Sequence, residues 1–131
     1  VPRIAVIGER INPTGKPKLK AALRAGDLDY LVGEAVSQQE LGADVLDVNV
    51  GLPELDEPAV LAAAVDKLSS TVTLPLVVDS SDPVAVEAAV RVLSSANHSA
   101  SPFGISAAAS FIKSTASYIY MAFTACLRLE A

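Results

Sequence analysis

Two polar side chains interrupt an apolar run in the segment from Gly42 to Gly51, which reads GADVLDVNVG. Asp47 and Asn49 are two residues apart, and a β-strand places side chains at that spacing on one face. Their valine and leucine neighbours supply strand-forming bulk. A carboxylate and an amide that project together from a buried strand carry a large desolvation cost unless each finds a partner. We therefore expect the side chains of Asp47 and Asn49 to converge on one site. There they would bind a ligand or lie at the open end of the sheet, at the carboxyl end of the strand.

Polar residues also follow two other apolar runs. The run IAVIG is followed by Glu9, Arg10 and Asn12, and the run LPLVV is followed by Asp79 and Ser80. Compact apolar runs between turn signals predict strands. In proteins with parallel β/α units, ligands bind at the carboxyl ends of the strands. Three separate strands therefore predict one shared site at the same edge of a sheet.

The elements that position these residues alternate along the chain. Apolar residues at strand or helix spacing, together with capping residues, predict three strands and four helices. The strands are expected over residues 3–9, within 42–51 and over 74–79, and the helices over 16–25, 28–41, 57–68 and 83–93. Near-continuous apolar strands that alternate with helices indicate a parallel sheet covered by helices.

Three segments resemble the pterin-binding domain of methyltetrahydrofolate methyltransferases. They are GERINPTGK from Gly8, GADVLDVNVG from Gly42 and PLVVDSSDP from Pro75. The resembling proteins include the folate domain of cobalamin-dependent methionine synthase and the methyltetrahydrofolate:corrinoid iron-sulfur protein methyltransferase, with dihydropteroate synthase as a more distant relative. The resemblance covers residues 3–93 and implies an α/β fold: the N-terminal part, about three βα units, of a truncated TIM-type (β/α)8 barrel.

The resemblance also implies roles for the residues that match the family motifs. The pterin would lie at the carboxyl ends of the strands, where Asp79 would accept hydrogen bonds from its amino and ring N–H groups. Asn12, on the first loop, is the candidate catalytic residue, and Glu9 and Arg10 are expected to support that loop. The residues expected to bind the pterin are Asp47, Asn49, Asp79 and Ser80.

The reaction implied by the resemblance is transfer of the N5 methyl group of 5-methyltetrahydrofolate to the cobalt of a corrinoid, or cobalamin, held by another domain or protein. Because a neutral tertiary amine is a poor leaving group, N5 must gain positive character before the methyl group moves. The site therefore needs hydrogen bonding that favours the protonated pterin. The domain itself is expected to bind no metal. A dihydropteroate synthase-like enzyme is the alternative, although GERINPTG and LDVNVG fit the methyltransferase branch better.

Simpler structural roles fit several of the same residues. Asp47 fits a loop cap or a partner for Arg10, and Asp79 with Ser80 fits a turn that leads into the next helix. Glu9 and Arg10 fit a structural ion pair or a loop anchor better than an acid or a base. The joint occurrence of the three motifs favours the ligand-binding interpretation of Asp47.

The last 38 residues differ in composition from the rest of the chain. Eight of them are serine and only three are charged, against 22 charged residues in the first 93. We therefore divide the chain into a partial pterin-binding βα barrel over residues 1–93 and an atypical helical or disordered tail over 94–131. A membrane span is discounted because Lys113 lies inside the apolar stretch and no positive cluster flanks it. A helical hairpin is one interpretation, and a non-native tail from truncation or a reading-frame change is favoured.

Composition restricts the classes of partner. The net charge of -5 argues against nucleic acid, which binds basic surfaces. Cys126 is the single cysteine and His98 the single histidine, so no internal disulfide and no zinc spacing are expected. A cytoplasmic location fits, and no export signal is recognised. The lysines at positions 16, 18 and 20 are interpreted as a solvated helix face.

A chain with three βα units raises a different class of function. The fourth-strand asparagine motif of the family is not recognised after residue 93, so we expect weak folate binding and no catalysis from the fragment alone. An unpaired parallel edge invites association with another chain. A non-catalytic half-barrel that forms a homodimer is therefore the competing hypothesis.

Overall fold

The computed structural model of the chain describes residues 4–96 and 123–125. Within them three parallel strands lie side by side in chain order, namely β1 (Ile7–Ile11), β2 (Val45–Val48) and β3 (Leu76–Val78). Parallel neighbours need a crossover connection, and helices supply it in both cases. The expected α/β fold with a parallel sheet is confirmed, and it is consistent with part of a TIM-type barrel.

Four helices are present in the described part of the chain, two of them between β1 and β2. They are α1 (Pro17–Ala25), α2 (Leu28–Glu40), α3 (Glu57–Ser69) and α4 (Pro83–Ala96). Asp27 and Asp56 accept hydrogen bonds from backbone N–H groups in the first turns of α2 and α3. Gly26 ends α1 at a φ of 67°, a left-handed conformation that glycine adopts without strain. These capping residues explain why the helix starts were predictable.

The two faces of the sheet differ in burial. Leu46, Val48 and Val50 are fully buried, whereas Asp47 and Asn49 between them are half-buried. The buried side chains belong to one hydrophobic core with leucine and alanine residues from all four helices. The helices therefore cover one face, which we call the helix face. The opposite face, which carries Asp47 and Asn49, is called the open face below.

The strands are placed differently from the sequence-based expectation. β1 begins at Ile7 rather than at residue 3, and Ile4 and Val6 before it are 87% and 53% exposed. Pairing with β2 starts at Ile7 with Val45 and continues to Ile11. The prediction was wrong because hydrophobicity alone does not show where a neighbouring strand begins. β3 is also shorter than the predicted 74–79, although Asp79 N–H still donates to the Val48 carbonyl at 3.0 Å.

A short strand follows the helical part in the chain. β4 (Phe123–Ala125) pairs antiparallel with β3, which places a neighbour at that edge of the sheet. The tail was predicted to be helical or disordered, and this is wrong for these three residues. Pairing of β4 satisfies edge N–H and C=O groups of β3 that hydrophobic patterning does not reveal. Residues 97–122 and 126–131, which include the predicted hairpin, His98 and Cys126, lie outside the described residues. Within the described part, no helix is long and apolar enough to cross a membrane.

Candidate functional site

The site is built on the last residues of β2 and the residues just after it. Asp47 pairs in register with Val77 of β3, and Asn49 follows the end of β2. Alternation along the strand sends Leu46 and Val48 into the core and leaves Asp47 and Asn49 on the open face. The shared orientation expected from their spacing is therefore observed.

Asn49 joins two neighbouring strands through its side chain. Its Nδ2 donates to Asp79 Oδ2 at 3.0 Å, and its Oδ1 accepts from Gly51 N at 2.9 Å. An amide has a donor end and an acceptor end, so the bond from Gly51 assigns the orientation of the group. The donor end must then face Asp79. The carboxyl end of β3 is thereby tied to the carboxyl end of β2.

Asp47 lies close enough to two other carboxylates to be influenced by them. Burial raises the pKa of Asp47 from 3.8 to about 6, and the charges of Asp79 and Glu9 add to the rise. Desolvation and like charges both disfavour the ionised form of a carboxyl group. Within the described residues no hydrogen bond to the Asp47 carboxyl group is found. The ionised form of the Asp47 carboxyl group is therefore disfavoured in the folded chain.

The hydroxyl group of Ser80 both donates and accepts a hydrogen bond within the protein. The hydroxyl donates to Glu57 Oε1 and accepts from Asp82 N at 3.0 Å. Glu57 lies in the first turn of α3, so this contact links α3 to the loop after β3. From the sequence, Glu57 was placed only at the start of a predicted helix, and no sequence signal pointed to Glu57 as a partner of Ser80. Ser80 is placed beside the site but faces Glu57.

Asn12 and Lys16 organise the loop after β1. Asn12 Oδ1 accepts from Thr14 N at 3.0 Å, a local turn that its residue type favours. Lys16 Nζ donates to the backbone carbonyls of Glu9 and Asn12, each at 3.1 Å. The solvated helix face predicted for Lys16 is wrong, because its ammonium group bridges the loop instead. The amide Nδ2 of Asn12 has no hydrogen bond within the described residues.

Arg10 points away from Asp47 and toward α2. Its Nε lies 2.8 Å from Glu34 Oε2, and its backbone N–H donates to Gln38 Oε1 at 2.9 Å. The structure thus pairs Arg10 with Glu34 rather than with Glu9 or Asp47. Arg10 anchors the end of β1 to α2, whereas Glu9 acts electrostatically on Asp47. Gln38 was missed by sequence reasoning, since a glutamine inside a helix carries no distinctive signal.

The comparison with known families agrees with this geometry. The sequence model of the family described as "Pterin binding enzyme" matches residues 8–121. The chain belongs to the pterin-binding enzyme family. The matched segment contains the three polar strand ends described above, and it also continues past residue 93, where composition suggested a boundary.

A curated relative of this pterin-binding chain is also found. Methionine synthase from Mycobacterium tuberculosis (strain ATCC 25618 / H37Rv) is 31% identical over 90 residues, which is 69% of this chain and 8% of the relative. The chain therefore spans a small part of the relative's length. The similarity supports a methyltransferase-type pterin-binding domain, in agreement with the resemblance of the three motifs.

The site of this family member offers several hydrogen-bonding groups to a ligand. Within the described residues no group of three or more His, Cys, Asp or Glu side chains could hold a metal ion. Asp79 Oδ1 has no hydrogen bond there, and Asn49 Nδ2 has a second N–H beside the one given to Asp79. Together with Asp47, these groups form an acceptor-rich edge that suits a ligand with several N–H donors.

Proposed function

We propose that the open face binds a reduced folate through Asp47, Asn49 and Asp79. One observation carries the proposal: the Asn49 amide is fixed between Gly51 and Asp79, beside Asp47, whose carboxyl group has no hydrogen bond in the part of the chain that the structure describes. A carboxylate whose position is already set loses little freedom when a ligand arrives, and such preorganisation favours binding. The family assignment supports the pterin as the ligand class.

Recognition of the pterin would use the acceptors of the site. The amino and ring N–H groups of a pterin donate hydrogen bonds, and Asp79 would accept from them with the oxygen that Asn49 leaves vacant. Hydrogen bonds to a charged partner are stronger than neutral ones. The half-buried position of Asp47 and Asn49 would strengthen them further, because solvent competes less.

The substrate we propose is 5-methyltetrahydrofolate. Its N5 must gain positive character before the methyl group can leave, and nearby negative charges favour the protonated form of a base. Glu9, Asp47 and Asp79 supply such charges on one face. Asn12, whose amide Nδ2 is not used by the loop, is proposed as the catalytic residue that contacts the pterin. Ser80 and Arg10 would then stabilise the loops around the site, Ser80 through its contact with Glu57 and Arg10 through its contact with Glu34.

The methyl acceptor is proposed to lie outside this chain. A corrinoid held by another domain or protein would accept the methyl group. The chain covers 8% of the length of the methionine synthase relative, so methyl transfer is proposed for an assembly that also contains the corrinoid-holding domain or protein. We propose the cytoplasm as its location.

The experiment that tests the proposal is a binding titration. We expect 5-methyltetrahydrofolate to shift NMR signals of residues around Asp47 and Asp79 in a saturable manner. Asp79→Asn should weaken binding by about 10- to 100-fold, since a hydrogen bond to a charged group contributes about 1.5–3 kcal/mol. Asp29→Asn is the matched control, because Asp29 is exposed on α2. A folded wild-type chain with no saturable shifts would refute the proposal.

One observation favours the second candidate, a non-catalytic chain that forms a homodimer. Ile7 on the outer strand β1 is 59% exposed, and Ile4 and Val6 just before the strand are 87% and 53% exposed. Exposed apolar side chains on an outer strand favour strand-to-strand association. Light scattering after size-exclusion chromatography tests this candidate. A concentration-dependent dimer that Val6→Lys dissociates would support it, and a monomer at every concentration would exclude it.

A further inference from the structure

In the described part of the chain Gln38 is the one buried polar residue, with 4% of its surface exposed. Its Oε1 accepts from Arg10 N at 2.9 Å, and its Nε2 donates to Glu34 O at 3.1 Å. A buried amide is costly unless both ends are bonded. The first of these bonds joins α2 to β1 across 28 residues of sequence, so it fixes one element relative to the other.

Gly8 makes this contact possible. A Cβ atom at residue 8 would lie 2.5 Å from Gln38 Oε1 and 3.1 Å from Leu46 Cδ2. Such a distance from Oε1 is shorter than real Cβ atoms show, so any larger residue would displace the glutamine amide. Gly8 and Gln38 therefore depend on each other, because the absence of a side chain at Gly8 leaves room for the buried Gln38 amide.

The contact lies where the pairing of β1 and β2 shifts. Gly8 pairs with Leu46 and Ile11 pairs with Val48, so two residues of β1 stand opposite Asp47 alone. An extra residue in one strand bends it and redirects its side chains. The two residues that stand opposite Asp47 here are Glu9 and Arg10. Gln38 binds the backbone of Arg10, and Glu34 binds its guanidinium group at 2.8 Å.

We propose that Gln38 is a positioning residue: by holding Arg10 at the shifted register, it keeps the Glu9 carboxylate beside Asp47 on the open face. This inference rests on the proposed function only in treating Asp47 as part of a ligand site. Arg10 is turned to α2, so its neighbour Glu9 is left to approach Asp47. The influence of Glu9 on the Asp47 carboxyl group agrees with this placement.

Two carboxylates act on Asp47, and a lysine contacts the backbone of one of them. Asp79 follows β3, Glu9 belongs to β1, and Lys16 precedes α1 with its ammonium group on the Glu9 carbonyl. The pair of Arg10 with Glu34 lies on the α2 side. Of the two carboxylates that act on Asp47, only Glu9 lies on the strand whose register Gln38 holds. Loss of Gln38 should therefore act on Asp47 through Glu9.

The test measures the pKa of the Asp47 carboxyl group by ¹³C NMR in the ligand-free chain. Gln38→Met removes both hydrogen bonds at similar volume and should lower this pKa by a few tenths of a unit, because Glu9 is no longer held near. Gly8→Ala should act in the same direction. Gln39→Met is the matched control: Gln39 also accepts a hydrogen bond from a backbone N–H, that of Thr73 at 2.9 Å, but Thr73 lies before β3 rather than within β1. It should leave the Asp47 pKa unchanged.

A double-mutant cycle separates positioning from general loosening. In a Glu9→Gln background, Gln38→Met should have no further effect on Asp47, because the group through which it acts is gone. The proposal is overturned if Gln38→Met leaves the Asp47 pKa unchanged in a folded chain, or if the effect persists in the Glu9→Gln background. If Gln38→Met does not fold, Gly8→Ala and its cycle with Glu9→Gln decide. Because no folate is present, failure of folate binding would leave this result intact.

Discussion

The helix face and the open face of the same strand serve different purposes. Leu46 and Val48 contribute buried apolar area on the helix face, which stabilises the fold by about 1.5–3 kcal/mol for each fully buried aliphatic side chain. Asp47 and Asn49 on the open face contribute polar groups, and Asp47 is held where its charge is disfavoured. Alternation in a strand therefore lets neighbouring residues divide stability and ligand binding between them. It also means that removing the Asp47 charge should change stability in the opposite direction to removing buried apolar groups.

The largest effect is expected on the helix face. Val48→Ala should lower the free energy of unfolding by about 2–3 kcal/mol, because it removes two fully buried methyl groups and leaves a cavity. Val45→Ala, the same substitution three residues earlier in β2, affects a half-buried side chain and should cost less than half as much. Urea unfolding of both variants measures the difference. Equal losses would show that the two faces are packed alike and would break the comparison.

A charge added to the open face should give the next largest effect. Asn49→Asp replaces the Nδ2 donor with an oxygen that faces Asp79 at about 3 Å. We expect the free energy of unfolding to fall by about 1–2 kcal/mol above pH 7, since like charges at this distance disfavour ionisation. The loss should shrink near pH 5, where one carboxyl group takes up a proton. Gln39→Glu is the control, because Gln39 uses only its acceptor oxygen. A loss independent of pH would contradict the electrostatic explanation.

The contact between Ser80 and Glu57 joins the site to a helix, and its removal should have a smaller effect. Ser80→Ala deletes the bond to Glu57 and the bond from Asp82 N, so we expect a loss of about 1 kcal/mol. Ser81→Ala is the matched control, since Ser81 is exposed and makes no hydrogen bond within the described residues. Thermal unfolding of both variants checks the prediction. If Ser80→Ala also abolishes folate-induced shifts, the serine binds the ligand directly.

Sequence patterns predicted the parts of this molecule that depend on local chemistry. The cap-and-proline signals located the starts of α3 and α4, and the two-residue spacing placed Asp47 and Asn49 on one face. These features follow from the backbone geometry of single elements. The convergence of Asp79 on Asn49 was also predictable, because parallel strands end at one edge of the sheet.

Contacts between elements could not be predicted in the same way. Gln38 and Glu57 reach partners 28 and 23 residues away, and neither residue type nor spacing identifies those partners. The register shift opposite Asp47 begins at Gly8. The need for glycine at this position becomes clear only in the folded chain, where Gln38 lies against it. Lys16 was misjudged for a related reason, since a lysine in a basic run binds backbone carbonyls only when the loop curves around it.

The smallest effect should have the opposite sign, and it tests whether the open face reduces stability. The Asp47 pKa is raised in the folded chain to about 6 from 3.8, so between these values the folded state binds more protons than the unfolded state. The contribution of Asp47 to the free energy of unfolding therefore falls as the pH rises toward 6. Asp47→Asn removes the ionised group and should stabilise the chain by about 0.5–1 kcal/mol at pH 7.5, after allowance for solvent screening of a half-exposed side chain.

The gain from Asp47→Asn should vanish below about pH 3.8, where the carboxyl group is protonated in both states. Urea unfolding of the wild type and the variant at pH 7.5 and at acidic pH measures this difference, with Asp29→Asn as the exposed control. A variant less stable than the wild type at pH 7.5 would mean that Asp47 supports the fold. A gain confined to neutral pH, together with weaker folate binding, would mean that Asp47 is retained at a cost in stability because a ligand needs its charge.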